Sequence, residues 1–366
     1  MKENKISWGR ALIVAGAFFA ANVGAGTASG QDLLQYFANF GLTKALLGWA
    51  VMMVTMLVMN PIIMVHGYDE IKTQEQSGSV FQYYCGKYIG WGLRILIPVF
   101  LLGTAVAMCS AAGAVFEEYW GLPHLLGTGI VVVVMTVCYL MGTRKLINIL
   151  GGIGPFIIVF TLIVSLYATF AGTEMASSDA FLAENPGLKV SEHWWFSGVL
   201  FGVFAPFIMA QFLQEMGAGE KNRKSLIAGS LIGIIGYCLV CLLIVLAELA
   251  NISAVSTASV PTLVFANMLH PFLGNCYAVI IVLAIYSTVA PLHWSFCQAF
   301  PTQEKPAMNR LIAIASAVVI LVGGQLPFST LVNVLYPFIQ YFGVAFLVFV
   351  VAKWAMEKFA GKGTEK

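Results

Sequence analysis

Long apolar runs, each closed by polar or charged residues, recur along the whole chain. Residues 129–141, GIVVVVMTVCYLM, and 311–322, LIAIASAVVILV, hold no charge at all. A helix needs about 20 mostly apolar residues to cross a bilayer. On that rule the pattern predicts ten spans, at 10–38, 42–65, 88–115, 125–142, 146–171, 196–214, 225–248, 271–296, 309–323 and 328–354. The segment 259–270 reads as a short helix lying along the membrane surface. The first run superficially resembles a signal peptide, with Lys2, Lys5 and Arg10 ahead of an apolar core. Cleavage is not expected, because the apolar pattern resumes after Gly30 and the other spans follow.

Composition agrees: 59% of the 366 residues are hydrophobic and 10% charged, against about 45–50% and about 25% in soluble domains. The chain is therefore expected to be an all-α, multi-span membrane protein. Charge then orients it. With the N-terminus in the cytoplasm, every one of the 19 Lys and Arg except Lys44 and Lys189 falls on the inner side. The positive-inside rule thus favours a cytoplasmic-membrane protein with both termini cytoplasmic. A net charge of +2 without a basic cluster gives no reason to expect nucleic acid. The seven cysteines are scattered through apolar runs, and Cys238 and Cys241, three apart, read as small buried residues.

The spans divide into two sets of five. The expected organisation is a first repeat over 1–171, an extracytoplasmic loop over 172–195, a second repeat over 196–354 and a cytoplasmic tail over 355–366. An odd number of spans per repeat inverts the second relative to the first. Each repeat opens on a helix rich in breakers: NVGAGTASG at 22–30, and SGVLFGVFAPF at 197–207, with Gly198, Gly202 and Pro206. Backbone that leaves the helix inside lipid is tolerated where it lines a cavity. Paired interruptions in inverted halves point to a transporter site at mid-membrane.

The stretch GAFFAANVGAGTASGQDLLQYF, 16–37, resembles the first-helix signature of the YkvI-like membrane proteins, which are placed with amino-acid permeases in the amino acid–polyamine–organocation superfamily. That group usually has Phe where this chain has Thr27, and often Glu where it has Asp32. The resemblance implies a LeuT-like fold, with a five-plus-five inverted repeat and broken helices one and six. It also implies a transport role without supplying a substrate. In sodium-coupled members of the wider superfamily, an ion lies between the break of the first span and the eighth. Two backbone carbonyls of the first span bind it, with a carbonyl and two hydroxyls of the eighth. Carried onto this chain, the resemblance implies Ala20, Val23, Ala284, Ser287 and Thr288. Five neutral oxygens suit a hard monovalent cation. Some proton-coupled relatives instead place a lysine from the fifth span there, and 146–171 has no charged residue. Sodium is therefore the expected coupling ion, with the proton as the alternative. No other cofactor is expected.

For the solute, a half-helix N-terminus suits a carboxylate. The second half of the first span is expected to begin near Gly26–Thr27. The candidate site is then Gly24, Ala25, Gly26 and Thr27, with unwound carbonyls of the sixth span around Phe201, Gly202 and Phe204 accepting an ammonium group. The middles of spans one, three, six, eight and ten hold no charged residue, so a small amino-acid-like zwitterion is expected. Phe18, Phe204 and Phe207 are candidate walls or gates. Asp32 is a candidate outer gate or proton relay, and Gln211 with Glu215 a candidate inner gate. Glu248 is assigned no role. Expected partners are a small-molecule substrate and the lipid bilayer, with a homodimer left open. An intramembrane enzyme would need clustered catalytic groups, and neither HExxH nor GxSxG occurs. The alternatives are a proton-coupled or uncoupled permease for another small organic solute, a channel, and a transport-derived sensor.

Overall fold

The computed structural model describes residues 5–73, 79–141, 143–258, 260–300 and 305–360. The chain runs as α1 (Trp8–Asn22), α2 (Ala25–Ser29), α3 (Gln31–Tyr36), α4 (Leu42–Thr73), α5 (Val80–Trp120), α6 (His124–Leu140), α7 (Thr143–Ala171) and α8 (Ser178–Glu184). It continues as α9 (Trp194–Ile208), α10 (Ala210–Ala218), α11 (Arg223–Ala250), α12 (Ile252–Val255), α13 (Pro261–Leu269), α14 (Pro271–Gln298), α15 (Pro306–Gly323) and α16 (Phe328–Ala360). Every expected span coincides with one of these helices or with a broken series of them.

Among the described residues, six helices are long and apolar enough to cross a membrane: α4, α5, α11, α14, α15 and α16. The pair α9–α10, bent by 59°, passes the same test as one broken span. Helix α6 and the 156–171 part of α7 are apolar but shorter. Their outer faces are bare hydrocarbon. Val133 and Val137 of α6, Val159 and Phe170 of α7, and Val318 and Val322 of α15 are all exposed. Such faces are at rest in lipid and not in water. This is a multi-span membrane protein.

Helix α1 packs on α11 and α7, α9 on α4 and α16, and α14 on α5. Small residues allow these close approaches, as is usual between helices in lipid. A Cβ on Gly217 of α10 would run into the Met64 carbonyl of α4, and one on Gly198 of α9 into the Gly48 carbonyl. Gly198 is thus explained by packing and not by a break.

The expected short helix in 259–270 is α13, which packs on α7 and α14, with Thr262, Phe265 and Ala266 fully buried. The loop 172–195 is tied to the helices by its acidic side chains. Asp179 Oδ1 accepts the Leu42 N–H at 2.9 Å, and the Glu174 carboxylate accepts from both the N–H and the hydroxyl of Ser253. Of the expected tail, 361–366 lies outside the described residues, as does residue 259.

Candidate solute and ion site

The first break is tighter and earlier than its glycines suggest. Helix α1 ends at Asn22, Gly24 is extended (φ −84°, ψ −173°), and α2 restarts at Ala25. The first N–H bonded back into the new turn is that of Ala28, to the Gly24 carbonyl at 2.8 Å. The N–H groups of Ala25, Gly26 and Thr27 therefore have no partner within their own turn. After five residues a second break follows at Gly30, whose φ of +84° is left-handed and suits glycine.

Side chains from other helices hold this short piece. Thr27 Oγ1 and Tyr237 Oη of α11 are 3.0 Å apart and share a hydrogen bond. The Ala28 carbonyl, freed by the break, accepts from Thr262 Oγ1 at 2.7 Å and Tyr277 Oη at 3.3 Å. The chain leaves the helix here at little cost because its exposed backbone groups are satisfied elsewhere.

The second break is not where the sequence reading puts it. Phe201, Gly202 and Phe204 lie inside regular α9, and the chain bends at Met209. Their carbonyls are therefore not a run of unwound acceptors. The local cause is Pro206, which has no N–H for the Gly202 carbonyl four residues earlier and weakens the helix just ahead of Met209. Gly202 serves contact as well, since a Cβ there would stand 2.8 Å from Thr55 Cβ.

The two broken helices nevertheless meet around one cavity of about 40 Å³. Gly24, Gly26, Thr27 and Asp32 face it from one side and Phe201, Phe204 and Met209 from the other. Thr104, Tyr237, Thr288 and Gln340 complete the polar wall, with Met56 and Met108 among the apolar lining. Phe18 and Phe207 are not in this wall; both are fully buried, and Phe207 packs against Phe81, Phe100 and Phe346. A space of this size holds a water or two, so a larger solute needs the surrounding helices to separate.

Asp32 overturns the expectation of a cavity wall without charged side chains. Its carboxylate occupies the place where a Cβ on residue 26 would stand, and the residue is 7% exposed. A helix break followed by a one-residue turn folds 32 back over 26, a reversal invisible in linear spacing. Four polar atoms around the cavity are buried without a hydrogen-bond partner: Asn22 Oδ1, Asp32 Oδ1, Thr104 Oγ1 and Gln340 Oε1. Three of the four can only accept. Tyr36 accepts from the Gln340 amide, which fixes that side chain. Tyr36, Tyr237 and Gln340 carried no signal in the sequence beyond their polarity.

Beside the cavity, Ser287 Oγ lies 2.9 Å from the Ala20 carbonyl and 2.8 Å from that of Ala284. Thr288 Oγ1 lies 3.4 Å from the carbonyls of Ala21 and Ala284. Ala20, Ala284, Ser287 and Thr288 are thus brought together, with Ala21 in addition. Val23 takes no part in these four contacts; its N–H caps α1 on the Phe19 carbonyl. The donor set is oxygen only and carries no formal charge, which fits a monovalent hard cation.

At the end of the bundle that carries the N-terminus, Gln211 and Glu215 line a separate cavity of about 430 Å³ with Arg94, Ser295 and Gln298. The N-terminal segment is pinned across that end. Ser7 N–H donates to Ser225 Oγ at 2.8 Å, Asn222 Nδ2 donates to the Lys5 carbonyl at 2.9 Å, and Arg10 pairs with Glu220. Cys238 and Cys241 are fully buried, as expected.

No family model matches the chain. It is similar to YkvI, a membrane protein of Bacillus subtilis (strain 168) described as uncharacterised, at 23% identity over 371 residues, covering 97% of this chain and 98% of YkvI. Among solved structures, a Na⁺-coupled sialic acid symporter in a substrate-bound outward-open state superposes with a TM-score of 0.67 at 10% identity, over 94% of this chain and 78% of that one. MhsT in complex with L-phenylalanine superposes at 0.65 and 12% identity, over 96% of this chain and 93% of that one. Mhp1, a nucleobase-cation-symport-1 family transporter, gives 0.53 at 14% identity, over 90% and 77%. The chain is similar to YkvI along essentially its whole length and has the LeuT fold.

Proposed function

We propose that the protein is a secondary transporter that carries a small solute bearing an ammonium group across the cytoplasmic membrane, coupled to sodium. The observation that carries the solute reading is the ring of unpartnered acceptors, Asn22 Oδ1, Asp32 Oδ1 and Gln340 Oε1, around one cavity at the two helix breaks. Buried polar atoms are normally satisfied, and a protonated amine is the donor-rich group that would satisfy these. Asp32 supplies the counter-charge in place of helix carbonyls. The aromatic rings of Phe201 and Phe204 supply apolar and cation–π contact. Amino acids belong to this class, but the Asp32 carboxylate over Gly26 works against a second anion at the start of α2.

The coupling ion is proposed to be sodium, held by the hydroxyls of Ser287 and Thr288 and the carbonyls of Ala20, Ala21 and Ala284. Its seat touches both α1 and α14, so binding draws these two helices together next to the solute. Transport then proceeds by opening the central cavity alternately to either side. The sialic acid symporter is described as Na⁺-coupled, which supports this reading by likeness of fold.

A thermal-unfolding screen of detergent-purified protein tests it. Amines without a carboxylate, amino acids, betaines and small carboxylates would each be added in sodium and in potassium. A ligand at about 100 times its Kd adds about 2.7 kcal/mol to the folded state. The expected result is a raised melting temperature with primary amines or amino acids, larger in sodium. A shift confined to carboxylates would overturn the solute reading, and one indifferent to sodium would overturn the ion reading.

A further inference from the structure

Glu248 stands near the outer end of α11 and takes no part in the site described above. It is fully buried, and both carboxylate oxygens are without a hydrogen-bond partner. Its Oε1 lies 2.7 Å from where a Cβ on Gly30 would stand, and Pro261 Cβ of α13 closes on the same point at 3.1 Å. The carboxyl group is therefore pressed against the left-handed turn that joins α2 to α3. The other side of that turn faces a cavity: Ser29 and Gln31, flanking Gly30, line an outer space of about 610 Å³ together with Val260. Glu248 lines neither that cavity nor the central one. A one-residue plug thus separates an unpaired buried acid from that cavity.

The surroundings decide what the acid holds. From α3, Asp32 is the charged group that reaches it electrostatically. Its own helix contributes Cys241. From α14 comes Tyr277, whose hydroxyl is spent on the Ala28 carbonyl. Helix α13 contributes Thr262, also bonded to Ala28. Lys44 of α4 is exposed, and the Glu174 carboxylate, past the end of α11, is taken by Ser253. Among the described residues no Lys, Arg or His pairs with Glu248. An ionised carboxylate without a partner in such a place costs several kcal/mol, and a second acid nearby raises that cost.

We propose that Glu248 is a proton-binding site gated by the Ser29–Gln31 turn. The turn seats over Glu248 when its carboxyl is neutral. When the turn lifts, the carboxyl meets the outer cavity and exchanges its proton with water there. Closure of the outer half of the first broken span thereby takes up one proton. The sodium seat and the solute cavity lie on the far side of α2, so this proton is a separate ligand of the same moving segment.

Two measurements on the full-length purified protein test this, and neither needs a solute. In the first, infrared spectra at neutral pH should contain the carbonyl stretch of a protonated carboxylic acid, diminished in Glu248→Gln; Asp32→Asn identifies any contribution of Asp32. Absence of that band, or its persistence unchanged in Glu248→Gln, overturns the proposal. In the second, hydrogen exchange of amides 24–36 is followed against pH. Opening linked to release of one proton lowers protection about tenfold per pH unit once the acid titrates, beyond the intrinsic rise of exchange with pH. Glu248→Gln should remove that excess slope and hold the turn closed. Protection that is flat with pH in the wild type overturns the proposal even if the variant fails to fold. Failure of the amine screen leaves both readouts intact, so the two readings fall separately.

Discussion

The carboxylate of Asp32 fills the space that a side chain on Gly26 would need. These residues are six apart, yet the break at Gly24 and the left-handed turn at Gly30 fold one onto the other. Position 26 must therefore lack a side chain for Asp32 to reach the cavity. Gly26→Ala should displace the acid from the cavity wall. Overpacking of this kind costs about 1–3 kcal/mol, so the variant should still fold with a lowered melting temperature. The ligand-induced shift seen in the wild type should vanish. An unchanged shift would remove this contact from the site.

Asp32→Asn separates charge from shape. The amide keeps the volume and one acceptor but loses the negative charge. A hydrogen bond to a charged group contributes about 1.5–3 kcal/mol, so affinity for an amine should fall about tenfold to a hundredfold by calorimetry. Equal affinity in the two proteins would mean that no ammonium group meets Asp32.

The proposed ion seat makes a different demand. Ser287 bridges α14 to the Ala20 carbonyl and Thr288 to that of Ala21. Replacing Ser287 with Ala and Thr288 with Val preserves most of the packing while deleting both hydroxyls. The expected outcome is folded protein whose ligand affinity no longer differs between sodium and potassium. A sodium dependence that survives would place the ion elsewhere.

How much of this was readable from the chain depends on whether the determinant was local. The spans follow from apolar length, and the first break from GAG and SG, whose backbone requirements sit in the residues themselves. Ser287 and Thr288 are singled out by the family resemblance and not by their own pattern, although adjacent positions on one helix fix their relation to Ala284. The sixth-span break was misplaced because Gly198 and Gly202 looked like breakers, while their partners, Gly48 and Thr55 of α4, are remote in sequence. Asp32 looked like an outer-end acid for want of knowledge of the turn at Gly30. Glu248 left one usable signal, an acid in LIVLAELA with no cation nearby, and an ionisable residue in a span marks function by default. What covers it, the Ser29–Gln31 turn, comes from more than two hundred residues away.

The end of the bundle that carries the N-terminus supplies the last prediction. Glu220 lies in the connection between α10 and α11, and its side chain is 6% exposed while that of its partner Arg10 is 51% exposed. The pair therefore draws a mostly buried acid against the first turn of α1 and ties the α10–α11 connection to it. Exposed ion pairs are worth about 0–1 kcal/mol, but leaving a buried acid unpaired costs more. Arg10→Ala should therefore shift the balance toward states in which that end is open. Ser295, on the wall of the inner cavity and 2% exposed, offers a reporter. A single cysteine there, in a background with the seven native cysteines replaced, should react faster with a water-soluble maleimide when Arg10 is Ala. If the proposed sodium seat between α1 and α14 holds that end together, adding sodium should slow it again. Labelling at the same rate with and without Arg10 would show that the Arg10–Glu220 pair anchors the N-terminus without gating the cavity behind it.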